Sequence, residues 1–223
     1  LALSLGLKNK IIDIGLNTQG EPFAKVEAGV NLGELKKEVE KLRFFYPPDP
    51  TSYQEVQVGA TVATNATGAD TFKYGPTRRY VQEMDVFCVD GRMRHLSRAR
   101  KLPRSLIKNT AGYFLGGEEI DEVIGSEGTL CLIESVTLKL LKGVKPHVFL
   151  LMLPFSDFEK CLKAVPLIEQ LEHKPRALEL VGPGAIDYFV RCPSCPAELK
   201  SEKCFLMIKD EYVDETDFDS TLT

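Results

Sequence analysis

The stretch FFYPPDPTSYQEVQVGATVATNATG, residues 44–68, narrows the folding options of this chain more than any other: three prolines within four positions, then a run of side chains no larger than valine or asparagine. Proline fixes φ and pushes the residue before it toward extended backbone, so residues 46–50 are held in one shape and continue neither a helix nor a central strand. The donors that remain are the amides of Asp49, Thr51 and Ser52 with two hydroxyls, a set able to wrap a phosphate or a ring edge. Asp49 would repel a phosphate and is expected to tie the loop to neighbouring amides as an Asx-type turn. Over residues 59–69 the small side chains allow backbone to approach a flat or anionic ligand and to aim helix-terminal N–H groups at it. A plain proline turn followed by a tightly packed helix explains the same composition. This stretch alone leaves both readings open.

Around it the punctuation is regular. KNKIIDIGLNTQGEPFAKVEAGV reads as two strands joined by a turn over residues 17–20. NLGELKKEVEKL places Leu32, Leu35, Val39 and Leu42 at helical spacing, with Asn31 as cap and Glu34 at the capping-box position. VQEMDVFCVDGRMRHLS, residues 81–97, is a hairpin about Asp90-Gly91. IDEVIGSEGTLCLIESVTLKLL is a short helix stopped at Gly125 and then a strand. Strict alternation puts Leu130, Leu132, Glu134 and Val136 on one face and Cys131, Ile133, Ser135 and Thr137 on the other. Gly143 marks a boundary. Beyond it strand HVFLLMLPF, helix SDFEKCLKAVPLIEQLEH, strand RALELVG, helix AIDYFV and strand KCFLMIKDEY alternate as in a small α+β domain with helices on one face. The expected fold class is α+β, in two domains over residues 1–143 and 144–223. The acidic end DEYVDETDFDS reads as solvated or frayed.

Charge and cysteine usage exclude several functions. The net charge is −4, and the 28 basic residues are scattered, which argues against nucleic acid as the main partner. Cys88, Cys131, Cys161, Cys192, Cys195 and Cys204 sit mostly in apolar or strand-like runs, as reduced thiols do. LALSLG is too short for a signal-peptide core, no transmembrane segment is expected, and the expected location is cytoplasmic. The chain starts at Leu1 inside what reads as folded sequence, so it is expected to be a piece of something longer. Cys192 and Cys195 have C-x-x-C spacing but no second such pair, and no metal site is expected. His95, His147 and His173 read as surface or strand-end residues. Arg78 and Arg79 could fork a substrate carboxylate, but pairing with surface acids is the commoner fate of such arginines.

Six segments in order, FFYPPDPTS, VGATVATNATG, KYGPTRRYV, VDG, KNTAGYFL and IGSEGTLCLI, resemble the FAD-binding domain of the vanillyl-alcohol-oxidase and p-cresol-methylhydroxylase type. Within it the chain is most similar to the glycolate oxidase and D-lactate dehydrogenase branch of FAD-linked 2-hydroxyacid dehydrogenases. The likeness runs over residues 10–141 and continues through PRALELVGPGAIDYF, which resembles the start of that branch's cap or substrate domain. The resemblance implies a two-subdomain FAD-binding domain followed by the start of an α+β cap. It implies that Pro48, Asp49, Pro50, Thr51 and Ser52 lie along the flavin and its pyrophosphate, and that Gly59, Ala60, Thr61, Thr64 and Asn65 line the other side of the phosphates and ribityl chain, closed by Gly68. Tyr74, Gly75 and Thr77 would sit beside the isoalloxazine, and Gly125, Glu127, Gly128 and Ile133 would hold the distal part of the cofactor.

The implied activity is hydride transfer from a small 2-hydroxy acid, of D-lactate or glycolate type, to non-covalent FAD. The electron acceptor, catalytic base and oligomeric state are left unassigned. Departures from the family pattern stand at Ala60, Thr61, Thr67, Phe114 and Cys131, where relatives usually carry a glycine, Asn or Met, a glycine, Asp or Asn, and a glycine. The family's glycine-rich phosphate loop and histidine-rich substrate site would lie upstream and downstream of this sequence, so the chain alone is expected to be inactive. Two alternatives remain: a flavin-fold module that has lost its cofactor and serves as a structural or interaction subunit, and an ether-lipid synthase of the same superfamily that uses FAD without net oxidation.

Overall fold

The first turn is built by one side chain. Asn17 Oδ1 accepts from the amides of Gln19 and Glu21, at 2.9 Å each, and reverses the chain between β1 (Ile11–Leu16) and β2 (Pro22–Glu27). The computed structural model describes residues 6–100, 111–143, 147–189, 191 and 204–212. Cys192, Cys195, the start of KNTAGYFL and most of the acidic end lie outside the described residues.

The chain divides into two compact units, Leu1–Lys145 and Pro146–Thr223. In the first, α1 (Leu32–Lys41) starts where Asn31 accepts from the Glu34 amide at 3.1 Å, and buries Leu32, Leu35 and Val39. Leu42, expected on that same face, is 51% exposed, because the helix ends at Lys41 and the chain leaves through Arg43 at φ 60°. Then follow β3 (Phe44–Phe45), the proline loop, α2 (Val58–Ala63), α3 (Thr71–Tyr74), a single 3₁₀ turn at Thr77–Arg79, and β4 (Val81–Cys88) with β5 (Met93–Ser97). The unit closes with α4 (Glu119–Val123), β6 (Cys131–Lys139) and β7 (Leu141–Lys142). The main sheet is antiparallel in the order β1-β2-β6-β4-β5, and β3 pairs with β7. Ala24, Val26, Met84, Val86, Val136 and Leu138 fill its inner face together with the α1 leucines, and α2 lies against β2 and β6.

Strand β6 breaks the simple alternation. Val86 pairs with Ile133 while its neighbour Asp85 pairs with Ser135, so an extra residue is accommodated at Glu134. A bulge of this kind flips every later side chain to the opposite face. Cys131 and Ile133 therefore share the core with Val136 and Leu138, whereas Ser135 and Thr137 face the other way. Ser135 donates to Asp85 at 2.7 Å, and His95 Nδ1 lies 2.8 Å from the same carboxylate. Burial would raise the Asp85 carboxyl, but the His95 and Ser135 hydrogen bonds and the charges of His95 and Lys25 together hold it below the ordinary carboxylate value.

The second unit is a three-stranded antiparallel sheet in the order β8-β10-β9, from β8 (His147–Phe155), β9 (Ala177–Val181) and β10 (Cys204–Tyr212). Helix α5 (Phe158–Glu169) begins at Asp157, which accepts from the Lys160 amide at 2.8 Å. With α6 (Pro183–Phe189) it accompanies a small core of Cys161, Val181, Ile186, Cys204, Phe205 and Leu206. Among the described residues, no helix is long and apolar enough to cross a membrane.

Candidate functional site

Helix α2 is short, and its ends are closed by backbone. The Val58 and Gly59 amides donate to the carbonyls of Val30 and Ala28 at 2.8 and 2.7 Å, so these first two N–H groups are engaged within the protein and not aimed at an anion. At the other end the last-turn carbonyls of Val62 and Ala63 receive the amides of Gly125 and Glu127, at 3.1 and 2.9 Å. Meeting both requires an irregular backbone: Gly125 has φ 85°, Glu127 φ 53° and Gly128 φ 77°. Two successive left-handed residues, with the Thr129 amide donating to the Ser126 carbonyl at 3.0 Å, make a tight primed turn over Ser126–Thr129.

Between that turn and α2 lies a cleft of about 340 Å³. One wall is Ala28, Gln57, Gly59, Ala60 and Ala63; the other is Ser126, Gly128, Cys131, Leu132 and Ile133. Of the residues expected from sequence to hold a cofactor, Gly59, Ala60, Gly128 and Ile133 come together here. Gln57 and Ser126 on these walls are not singled out from sequence; their signal is position, Gln57 immediately before VGATVATNATG and Ser126 inside IGSEGTLCLI. Gly59 is required by protein contact, since a Cβ there would sit 2.6 Å from the Ala28 Cβ and 2.9 Å from its carbonyl oxygen. Gly59→Ala is therefore expected to cost about 1–3 kcal/mol of stability, read from the denaturant midpoint, by forcing α2 off the end of β2.

A second group forms around the prolines. The tight turn after Pro50 is closed by the Tyr53 amide donating to the Pro50 carbonyl at 2.9 Å, and Thr51 and Ser52 are exposed. Asp49 pairs with the buried Lys36 ammonium of α1 at 2.6 Å, which moors the loop to that helix. Gly68 packs its backbone directly on the Asp49 carbonyl, and the Phe45 and Tyr74 rings meet edge-on at 5.8 Å. Pro48, Asp49, Pro50, Tyr74, Gly75 and Thr77 thus belong to one neighbourhood, which the residues lining the cleft do not include. Gly75 has φ 81° with Arg79 against it.

Several expected polar side chains bond the protein's own backbone. Thr61 is 1% exposed and donates to the Val58 carbonyl; Thr64 donates to the Ala60 carbonyl, and Thr77 to that of Ala66. Asn65, held at φ 47°, accepts the Arg78 amide at 3.0 Å. Thr61 and Thr64 bond back onto α2, while Asn65 and Thr77 tie the Thr77–Arg79 turn to the chain just after that helix; none of the four is among the cleft-lining residues. Arg78 is no surface residue: 5% exposed, it bonds Asp121 and the Ile124 carbonyl and lies 4.8 Å over the Phe114 ring. Burial lowers its pKa, opposed by Asp121. Phe114 consequently serves Arg78 and adds nothing to the cleft walls.

The cleft suits a flat, uncharged ligand face. Among the described residues no charged side chain lines it, most of its lining residues are small, and its volume lies at the low end for small-molecule sites, enough for part of a dinucleotide. Residues 1–97 match the family described as FAD binding domain. A D-lactate dehydrogenase of Anaerostipes hadrus is 37% identical over 180 residues, covering 80% of this chain and 34% of that protein. Glycolate oxidase subunit GlcD of Bacillus subtilis is 30% identical over 158 residues, covering 71% of this chain and 31% of that protein. The chain spans about a third of the length of these relatives. Among solved structures, an alkyldihydroxyacetonephosphate synthase superposes with a TM-score of 0.71 at 19% identity, over 96% of this chain and 40% of that one, a likeness of fold.

Proposed function

This chain belongs to the FAD-binding oxidoreductases related to D-lactate dehydrogenase and glycolate oxidase, and from that premise we propose that the whole protein oxidises a small 2-hydroxy acid of the D-lactate or glycolate type. The observation that carries this reading is the small-residue cleft between α2 and the Ser126–Thr129 turn, whose backbone leaves room for a ring to lie flat. Hydride acceptance is the chemistry that FAD supplies when bound. Gly59, Ala60, Gly128 and Ile133 would hold one part of it, with Thr61, Thr64, Asn65, Gly125 and Glu127 shaping the walls behind them. Pro48, Asp49, Pro50, Thr51 and Ser52, with Tyr74, Gly75 and Thr77, would hold another. The prolines and the Lys36–Asp49 pair fix that loop before a ligand arrives, which lowers the ordering cost of binding. A base, assigned to no residue of this chain, takes the substrate hydroxyl proton.

The test uses the whole purified protein. A flavin absorbance band that bleaches when D-lactate or glycolate is added without oxygen is the expected result. A flavin that stays oxidised with both would overturn the substrate class. Absence of any flavin, even after incubation with FAD, would favour a module that keeps the fold as a structural or interaction subunit; the inward-facing Thr61, Asn65 and Thr77 are the observation in its favour.

The isolated 223-residue chain is expected to behave differently. Contacts in the proposed site are divided between two neighbourhoods and many of its polar side chains bond their own backbone. FAD should bind it several factors of ten more weakly than the whole protein, each factor being about 1.4 kcal/mol. Fluorescence titration reads this directly, and tight stoichiometric binding to the isolated chain would contradict it.

A further inference from the structure

Strand register places two cysteines 43 positions apart directly opposite one another, Cys88 at the end of β4 and Cys131 at the start of β6. Opposed residues of an antiparallel pair point to the same face with Cα atoms roughly 4.5–5.5 Å apart, inside the range of about 4.4–6.8 Å that a disulfide spans. Both are free thiols. Cys131 is 9% exposed and lines the cleft, while Cys88 is half-buried and touched by the Arg94 guanidinium. The molecule carries its own contrast in the second unit, where Cys161 and Cys204 are also in contact but both wholly buried.

We propose that Cys88 and Cys131 are a peroxide-oxidisable dithiol whose disulfide forms in the wall of the cleft. Cys88, the more accessible sulfur, attacks one oxygen of hydrogen peroxide, giving a sulfenic acid and releasing the other oxygen as water. The Cys131 sulfur then attacks the sulfenic sulfur, closing the S–S bond and expelling a second water. The two thiols surrender two electrons and two protons, and one peroxide becomes two waters. Burial pushes the Cys131 thiol up to about 11, so Cys131 is not the sulfur that meets peroxide first, and its part in the second step rests on its place directly opposite Cys88. Closure clamps the end of β4 to the strand that leaves the Ser126–Thr129 turn, and so fixes the wall residues 131–133. No part of this requires FAD.

The experiment treats the reduced 223-residue chain with hydrogen peroxide, alkylates the remaining thiols and digests with trypsin without reductant. The expected result is a linked pair of peptides covering residues 80–92 and 109–139, absent before treatment and released by dithiothreitol. Cys88→Ser, at a half-buried position, should remove the linkage and leave Cys131 free for alkylation once the chain is unfolded. Cys161 and Cys204 should remain alkylatable throughout. Oxidation of Cys88 onward to sulfinic acid with Cys131 still a thiol would overturn the proposal. Linkage of Cys88 to Cys192 or Cys195 in place of Cys131 would do the same.

Discussion

Replacing Gly68 with alanine is expected to unseat the proline loop and to produce the largest loss of stability of any glycine-to-alanine change among the described residues. A Cβ at that position would lie 1.9 Å from the Asp49 carbonyl oxygen, 2.5 Å from its carbon and 3.1 Å from the Pro50 nitrogen. All three are backbone atoms, so no side-chain rotation relieves the overlap. The loop cannot easily give way, because its prolines fix φ on both sides of Asp49 and Lys36 holds the Asp49 carboxylate at 2.6 Å. Nor can the other side, since the Gly68 amide donates to the Thr71 hydroxyl at 3.0 Å and the Thr71 amide returns to the Gly68 carbonyl at 3.0 Å. The cost should reach the upper end of overpacking penalties, about 3 kcal/mol, and lower the melting temperature of the first unit by on the order of 10 °C. Gly116→Ala is the matched control, because a Cβ there meets nothing within 4 Å. Equal melting temperatures for the two variants would refute the argument.

The same glycine shows where reading the sequence reaches its limit. Small residues at 59–68 mark a place where backbone must come close to something, and composition cannot say to what. For Gly68 the partner is the Asp49 carbonyl and for Gly59 it is Ala28, while Ala60 and Ala63 face the cleft. Local chemistry was readable wherever the interacting groups are within a few residues: the Asn31 cap, the Asn17 turn, the Asp90-Gly91 hairpin and the stop at Gly125 all lie where their side chains and permissive backbone put them. Long-range register was not. The bulge opposite Asp85 and Val86 shifts the face of every residue after it, and its one trace in the sequence is the polar pair Glu134-Ser135 between Ile133 and Val136, which a reading by strict alternation passes over. The Lys36–Asp49 pair joins residues from different local patterns, and neither pattern predicts the other.

Asp121 is the clearest case of such hidden coupling, and substituting it by asparagine should cost about 3–5 kcal/mol, the penalty for breaking a buried ion pair by removing one partner. The carboxylate is 1% exposed and sits between two guanidinium groups. Arg98 grips it with both terminal nitrogens, at 2.8 and 2.6 Å, while Arg78 lies 3.2 Å away and also bonds the Asp121 backbone carbonyl. Asparagine keeps the shape but leaves two buried cations facing a neutral amide, with one donor group now turned toward donors. Burial by itself would raise the Asp121 carboxyl; Arg98, the Glu118 amide and Arg78 outweigh it, so the folded value lies below the ordinary one. A depressed carboxyl stabilises the fold above its unfolded pKa, about 4, and that contribution disappears as pH falls through the lower folded value. The unsubstituted chain should therefore lose stability steeply below about pH 4, and Asp121→Asn should be weaker at neutral pH with a flatter acid limb. Denaturant midpoints from acid to neutral pH measure both effects, and parallel curves for the two proteins would remove Asp121 from the account. The consequence reaches the cleft through Arg78, which also holds the Ile124 carbonyl and, by its own amide, Asn65. Loosening Arg78 frees the turn that follows Gly125, so the variant should expose the Ser126 and Glu127 amides, bonded to the Val123 and Ala63 carbonyls, to faster hydrogen exchange than those of β1, even under conditions where both proteins remain folded.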